Sequence, residues 1–290
     1  MVRMTVVTQD GWMRARAAVL ETGRRFDALV RSAPDPAAMA TAEWSIADSA
    51  AHVLSIGSLC LLLLDPDAPP LPVPGLRELL SSTNVDTVAD TNSHVMRHLT
   101  ERDLRAVLRD LRTSIERILL VTRTAEPAST VTWLGNAQVT VVGVLAHLVN
   151  EMLVHGWDIA RAARLPWRMP DADAALFFDL FLVDMIRNDY GALLNPSVRM
   201  PRQRIAVQFR SAHTTTATLV LHRGRVVVAP PDDPYDVSLT FRPARFNLML
   251  FGRVGALRAA AGRDVIVGGP RPWRLRAFLR VVHMPNNARA

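Results

Sequence analysis

The chain changes its hydrophobic rhythm once. Up to about residue 188 the apolar positions recur at helical spacing, and after Pro201 they alternate with polar ones. Residues 10 to 31 form the first helical run, followed by a Pro-Ala loop at 34 to 38. A second helix opens at Ser45, with Asp48 placed as its capping-box partner. It runs to about Leu64 and stops at Asp65-Pro66. The proline-rich stretch 67 to 75 cannot continue it and is long enough to line a site. A third run spans about Val85 to Thr122, interrupted near Thr100 by another cap. A fourth covers Val139 to Ala163 and ends before Pro166. The segment Ala172 to Asn188 is apolar over much of its surface and is placed to tie two halves together.

In the alternating half, 204 to 209, 216 to 221, 225 to 229 and 235 to 241 read as strands, with His222-Arg-Gly-Arg225 as a hairpin turn. Two helical runs follow, Pro243 to Phe251 and Pro272 to Val282, with a short strand at 264 to 267 between them. The predicted fold is α plus α+β: a four-helix bundle followed by a smaller α+β domain. The expected organisation is a bundle over 1–168, a connecting helix and linker over 169–200, and the second domain over 201–290.

Composition narrows the function. The net charge is +7, and all 34 basic residues are arginine. No stretch interleaves clustered arginine with aromatics, so nucleic acid is not expected as a partner. The single cysteine, Cys60, excludes disulfides and cysteine-based zinc sites, and its apolar surroundings read as core. Met1-Val-Arg-Met-Thr-Val lacks the apolar region of a signal peptide, and the apolar stretches of about ten residues are too short to span a bilayer. The expectation is a cytoplasmic protein without a membrane partner, monomeric or homodimeric.

Three residues carry the candidate chemistry. Glu151 and His155 are four apart on one helical run and share a face, and His52 lies on another helix. Two imidazoles and a carboxylate leave a coordination position open, which is the layout of a catalytic zinc site. Spacing alone leaves a plain Glu151–His155 ion pair equally open, and His147, four residues before Glu151, is a rival for the place of His52. His94 and His98 form a further pair, but on a face that reads as exposed and polar. Asp158 is placed either to orient His155 or to pair with Arg161.

Trp44-Ser-Ile-Ala-Asp-Ser-Ala-Ala-His52 resembles the second-helix signature of the DinB-like metalloenzyme superfamily. Glu151-Met-Leu-Val-His-Gly-Trp-Asp-Ile-Ala-Arg161 resembles the fourth-helix signature of the mycothiol-dependent maleylpyruvate isomerase family. The resemblance implies a zinc site of His52, Glu151 and His155 and a sterol-carrier-like C-terminal domain. Asn150 departs from it, standing where many relatives have histidine. The ligand set prefers Zn2+, with other divalent transition metals compatible.

Such a site lowers the pKa of a thiol, and Cys60 is not placed to be that thiol. The resemblance implies mycothiol as cosubstrate and an actinobacterial host. The expected function is S-transfer, in which the activated thiol attacks a small electrophile, in detoxification or natural-product biosynthesis. Isomerisation of the maleylpyruvate type with mycothiol as cofactor is the alternative. A zinc hydrolase would need a general base that no H-E-x-x-H arrangement supplies. A non-catalytic small-molecule carrier remains a further reading. Arg271 and Arg274, which open the last helical run, are the candidates for binding a carboxylated substrate.

Overall fold

A computed structural model describes residues 7–188, 201–230 and 232–283. Helix α1 (Gln9–Ser32) is capped by Thr8 and buries a stripe of Trp12, Ala15, Val19, Phe26 and Val30. Helix α2 (Ile46–Leu64) starts with the full capping box. Ser45 Oγ accepts from Asp48 N, and Asp48 Oδ2 accepts from Ser45 N. Asp65 closes α2 and accepts a 2.6 Å bond from Arg117 Nε.

Two short helices then leave the bundle, α3 (Leu76–Ser82) and α4 (Val88–His98). The third bundle helix, α5 (Leu104–Val121), is capped by Asp103, which accepts from two backbone amides. A small antiparallel hairpin of β1 (Thr130–Thr132) and β2 (Gln138–Thr140) leads into α6 (Val141–Ala163), capped by Thr140. Helix α1 packs on α5 and α6, and α2 packs on the same two, which closes a four-helix bundle with α6 buried at its centre.

By length and hydropathy α2 has the character of a membrane span, contrary to the estimate from apolar runs. Of its most apolar 18-residue window, though, 61% is buried inside the protein, as in the core helix of a bundle. The position of Gly156 on α6 is fixed by packing: a Cβ there would overlap the Trp167 ring, whose Nε1 donates to Leu153 O at 3.0 Å.

The run expected over 172 to 188 is one helical segment with an inner change of pitch. It comprises α7 (Asp171–Leu176), a π-helical stretch over Phe177–Val183 and α8 (Asp184–Arg187). The expected linker between the halves falls on 189–200, outside the described residues.

The second half is built on five strands, β3 (Ile205–Arg210), β4 (Ala217–His222), β5 (Arg225–Ala229), β6 (Val237–Phe241) and β7 (Val265–Gly268), in the order β5-β4-β3-β6-β7. Strands β3 and β6 are parallel and the other pairs antiparallel. The β4–β5 turn is the expected one, with Arg223 at φ 49° and Gly224 at φ 77°, the paired left-handed residues of a tight hairpin.

Helices α9 (Pro243–Leu250) and α10 (Ala256–Ala261) lie between β6 and β7. The last helical run is shorter than expected, a 3-10 turn at Pro272–Arg274 continued by α11 (Leu275–Leu279). Phe178 of the π stretch enters the sheet's aromatic core, 5.2 Å from the Phe209 ring and 5.1 Å from Phe241, so the connecting helix joins both halves in one hydrophobic core.

Candidate metal centre

Helices α2 and α6 bring His52, Glu151 and His155 together inside the bundle. One ligand atom from each lies within 4.8 Å of the others. Glu151 Oε2 is 3.4 Å from His52 Nε2 and 3.4 Å from His155 Nε2. Those contacts are too long for strong charge-assisted hydrogen bonds, which run at roughly 2.7–2.9 Å. Donors held 2.0–2.1 Å from a tetrahedral zinc stand about 3.3–3.4 Å apart. Both contacts of Glu151 have that spacing, and the donor set suits a divalent metal.

His147 Nε2 faces the other carboxylate oxygen, Oε1, also at 3.4 Å, and falls outside the three-ligand cluster. Its ring lies against Trp133 and Phe181, with centroids 4.9 and 4.7 Å away. His94 and His98 stack on each other on α4, away from the cluster.

The electrostatics follow from burial. Burial alone would raise the Glu151 pKa, but the His155 and His52 imidazoles hold it well below the usual carboxylate range. Burial pushes His52 and His147 down, favouring neutral imidazoles. His155 is opposed by burial yet held above its usual value by Asp158 and Glu151. Burial pushes the Cys60 thiol up, which makes it a poor nucleophile.

The two candidate histidine ligands have different neighbours behind them. His155 Nδ1 is 3.4 Å from Asp158 Oδ2, an ion-pair contact outside hydrogen-bond geometry. Asp158 does not pair with Arg161. Arg161 reaches Ala40 O and covers Trp157, while Asp158 receives Arg253 from beyond α9, Nη2 to Oδ2 at 2.8 Å and Nε to Oδ1 at 3.2 Å. A line of contacts thus runs from the second half of the chain to a candidate ligand. His52 Nδ1 has no hydrogen-bond partner among the described residues, and Trp44 packs against its ring at 4.6 Å and against His155 at 5.9 Å. Asn150 accepts a 2.9 Å bond from Asn247 of α9, a second link between the halves.

A cavity of about 110 Å³ opens over the cluster, lined by all three candidate ligands, His147, Asn150 and Arg253. Its outer wall is apolar and comes largely from the excursion between α2 and α5 and from the π stretch. Arg271 and Arg274 are not among its lining residues; both donate to Asp236 Oδ1 at 2.9 Å beside the sheet. Arg253 and Trp44 are the residues that sequence reasoning did not assign. Trp44 was visible as part of the second-helix signature. Arg253 sits in a turn with no periodic or motif signal.

Fold and cluster define a class: a helical bundle with an inward His/Glu/His set, joined to an α+β half. Residues 19–160 match the family model for the mycothiol maleylpyruvate isomerase N-terminal domain. The match spans most of the bundle and just under half of the chain. Two solved structures align with most of the chain. A mycothiol-dependent maleylpyruvate isomerase has 13% identity and a TM-score of 0.44, with 89% of this chain and 92% of that one covered. A histidine-to-alanine mutant of that enzyme has 12% identity and a TM-score of 0.43, with the same coverage. Among curated proteins nothing matches the chain.

Proposed function

We propose that this chain is a metal- and mycothiol-dependent enzyme that transfers the thiol to a small electrophile. The observation that carries the reading is the convergence of His52, Glu151 and His155 on one point at the floor of a largely apolar cavity. The match of residues 19–160 to the mycothiol maleylpyruvate isomerase N-terminal domain supports the thiol. Zn2+ is the metal that the donor set prefers. A divalent metal held there supplies Lewis acidity that lowers a thiol's pKa toward neutrality.

The chain's own residues do the rest. Glu151 stays ionised and offsets charge at the site. Asp158, itself anchored by Arg253, fixes the His155 ring so that Nε2 faces inward. Trp44 holds the faces of both imidazoles. The wall of Leu71, Leu76, Phe177 and Phe181 limits water at the reacting sulfur, which favours attack on carbon over hydrolysis of the electrophile. Attack forms one S–C bond. In an addition, the electron pair of the electrophile's double bond moves to the neighbouring atom, which takes up the thiol's proton, and no redox partner is needed. Isomerisation would use the same addition followed by its reversal.

The test is cobalt-substituted protein titrated with mycothiol. The reading predicts a sulfur-to-cobalt charge-transfer band that saturates with thiol and is missing in Glu151→Ala. A metal-loaded protein that shows no such band, and consumes no mycothiol with any electrophile, would overturn it.

A further inference from the structure

Apart from its histidines, the cavity over the cluster has one cationic side chain among its described lining residues, Arg253, and that charge is already taken. Its Nε and Nη2 are on Asp158, and its Nη1 donates to Phe251 O at 2.8 Å. Both partners of the Arg253–Asp158 pair are buried, with side chains 8% and 2% exposed, so guanidinium and carboxylate cancel locally. The arginines expected to meet a carboxylated substrate, Arg271 and Arg274, are instead shared on Asp236.

Glu151 and an incoming thiolate together match the charge of a divalent ion, leaving no surplus for an acid. The remaining wall is mostly apolar, with Leu71, Leu76, Leu80, Phe177, Phe181 and Phe251, and its other polar groups, Ser55, Thr91, Asn92 and Asn150, are uncharged. An ionised carboxylate entering here would lose its hydration and find no free counter-charge. The volume, about 110 Å³, is comparable with apolar cavities of roughly 150 Å³ that take up benzene.

We propose that the electrophile is a small uncharged molecule with an apolar body, such as an unsaturated ester or ketone, rather than a carboxylic acid. The N–H groups of Arg253 not engaged by Asp158 and Phe251 are donors suited to its carbonyl oxygen. This substrate class rests on the reading of the site as one that uses a thiol. In the addition, sulfur bonds to the β-carbon, the π pair shifts toward the carbonyl, and the α-carbon gains the thiol's proton. Atoms and charge therefore balance without a further reactant.

The experiment separates binding from turnover. Dimethyl succinate and succinate, which do not react with thiols, are titrated into the metal-loaded protein saturated with mycothiol, followed by tryptophan fluorescence, since Trp133 lies in the cavity wall. Mycothiol consumption is then measured with dimethyl maleate and with maleate. The ester should bind on the order of a hundredfold more tightly than the acid, and Leu80→Arg should narrow that gap. An acid that binds as well as the ester, or binding of neither, overturns the substrate class whatever happens to mycothiol. Ester preference without mycothiol consumption leaves the substrate class standing and overturns the thiol reading.

Discussion

Two carboxylates, the largely enclosed Glu151 in the bundle and the buried Asp236 beside the sheet, are both held below the usual carboxylate range, and their charges are met in opposite ways. Asp236 accepts from Arg271 and Arg274 at 2.9 Å each and from Ala206 N at 3.0 Å, so its oxygens meet full-strength donors. Glu151 has three imidazoles around it, each 3.4 Å away, and no guanidinium. One network is closed by hydrogen bonds and reads as architecture. The other is held by longer contacts, in a His/Glu/His cluster that a cation would complete. The difference shows that burial of a charge is by itself no sign of function; what matters is whether the surrounding groups donate or wait for an acceptor of electron pairs.

That contrast can be broken most sharply at a ligand. His52→Ala should lower metal affinity by on the order of 10³-fold or more, read by competition with a chromogenic chelator, and thiol turnover should fall in parallel. Asp158→Asn keeps the shape but weakens the hold on His155. Metal affinity should drop about 10- to 100-fold, and His155 should remain a ligand in cobalt spectra. Asp236→Asn should do the reverse, costing about 1–2 kcal/mol in urea unfolding, because the partly exposed arginines keep their water, and leaving metal content untouched.

The smallest effect is one of pH on metal-stripped protein. Since Asp158 and Glu151 raise the His155 pKa in the fold, the stability it contributes is fully present below the unfolded value. It is lost as pH rises through the folded value. Urea midpoints compared across neutral pH should therefore fall less in His155→Gln than in the parent. An identical fall in both would show that His155 carries no such linkage.

Much of the fold was legible because its signals are local. Ser45 and Asp48 announce a helix start within four residues, and the switch to alternation after Pro201 announces the sheet. Helix α3, the β1–β2 hairpin and α10 went unread because each is seven residues or shorter, too brief for a period to register. Val139 was read as the first turn of α6 but pairs with Val131 as a strand, since Thr140 is the cap that starts the helix.

At the site, Glu151 and His155 were readable as an i, i+4 pair, and His52 through its signature. The partner of Asp158 was not readable. Arg161 stood three residues away in sequence, yet the bond goes to Arg253, 95 residues on, because Arg161 is drawn off by Ala40 and Trp157. Long-range pairing of this kind leaves no periodic trace. The same is true of the charge balance that takes Arg271 and Arg274 onto Asp236.

The most direct measurement is the metal content of purified protein by elemental analysis, wild type beside Glu151→Ala, after dialysis against zinc and removal of the excess. The account predicts one zinc per chain in the wild type and none in the variant, with both chains folded by circular dichroism. A wild type that takes up no metal, or a variant that holds as much as the parent, would contradict it.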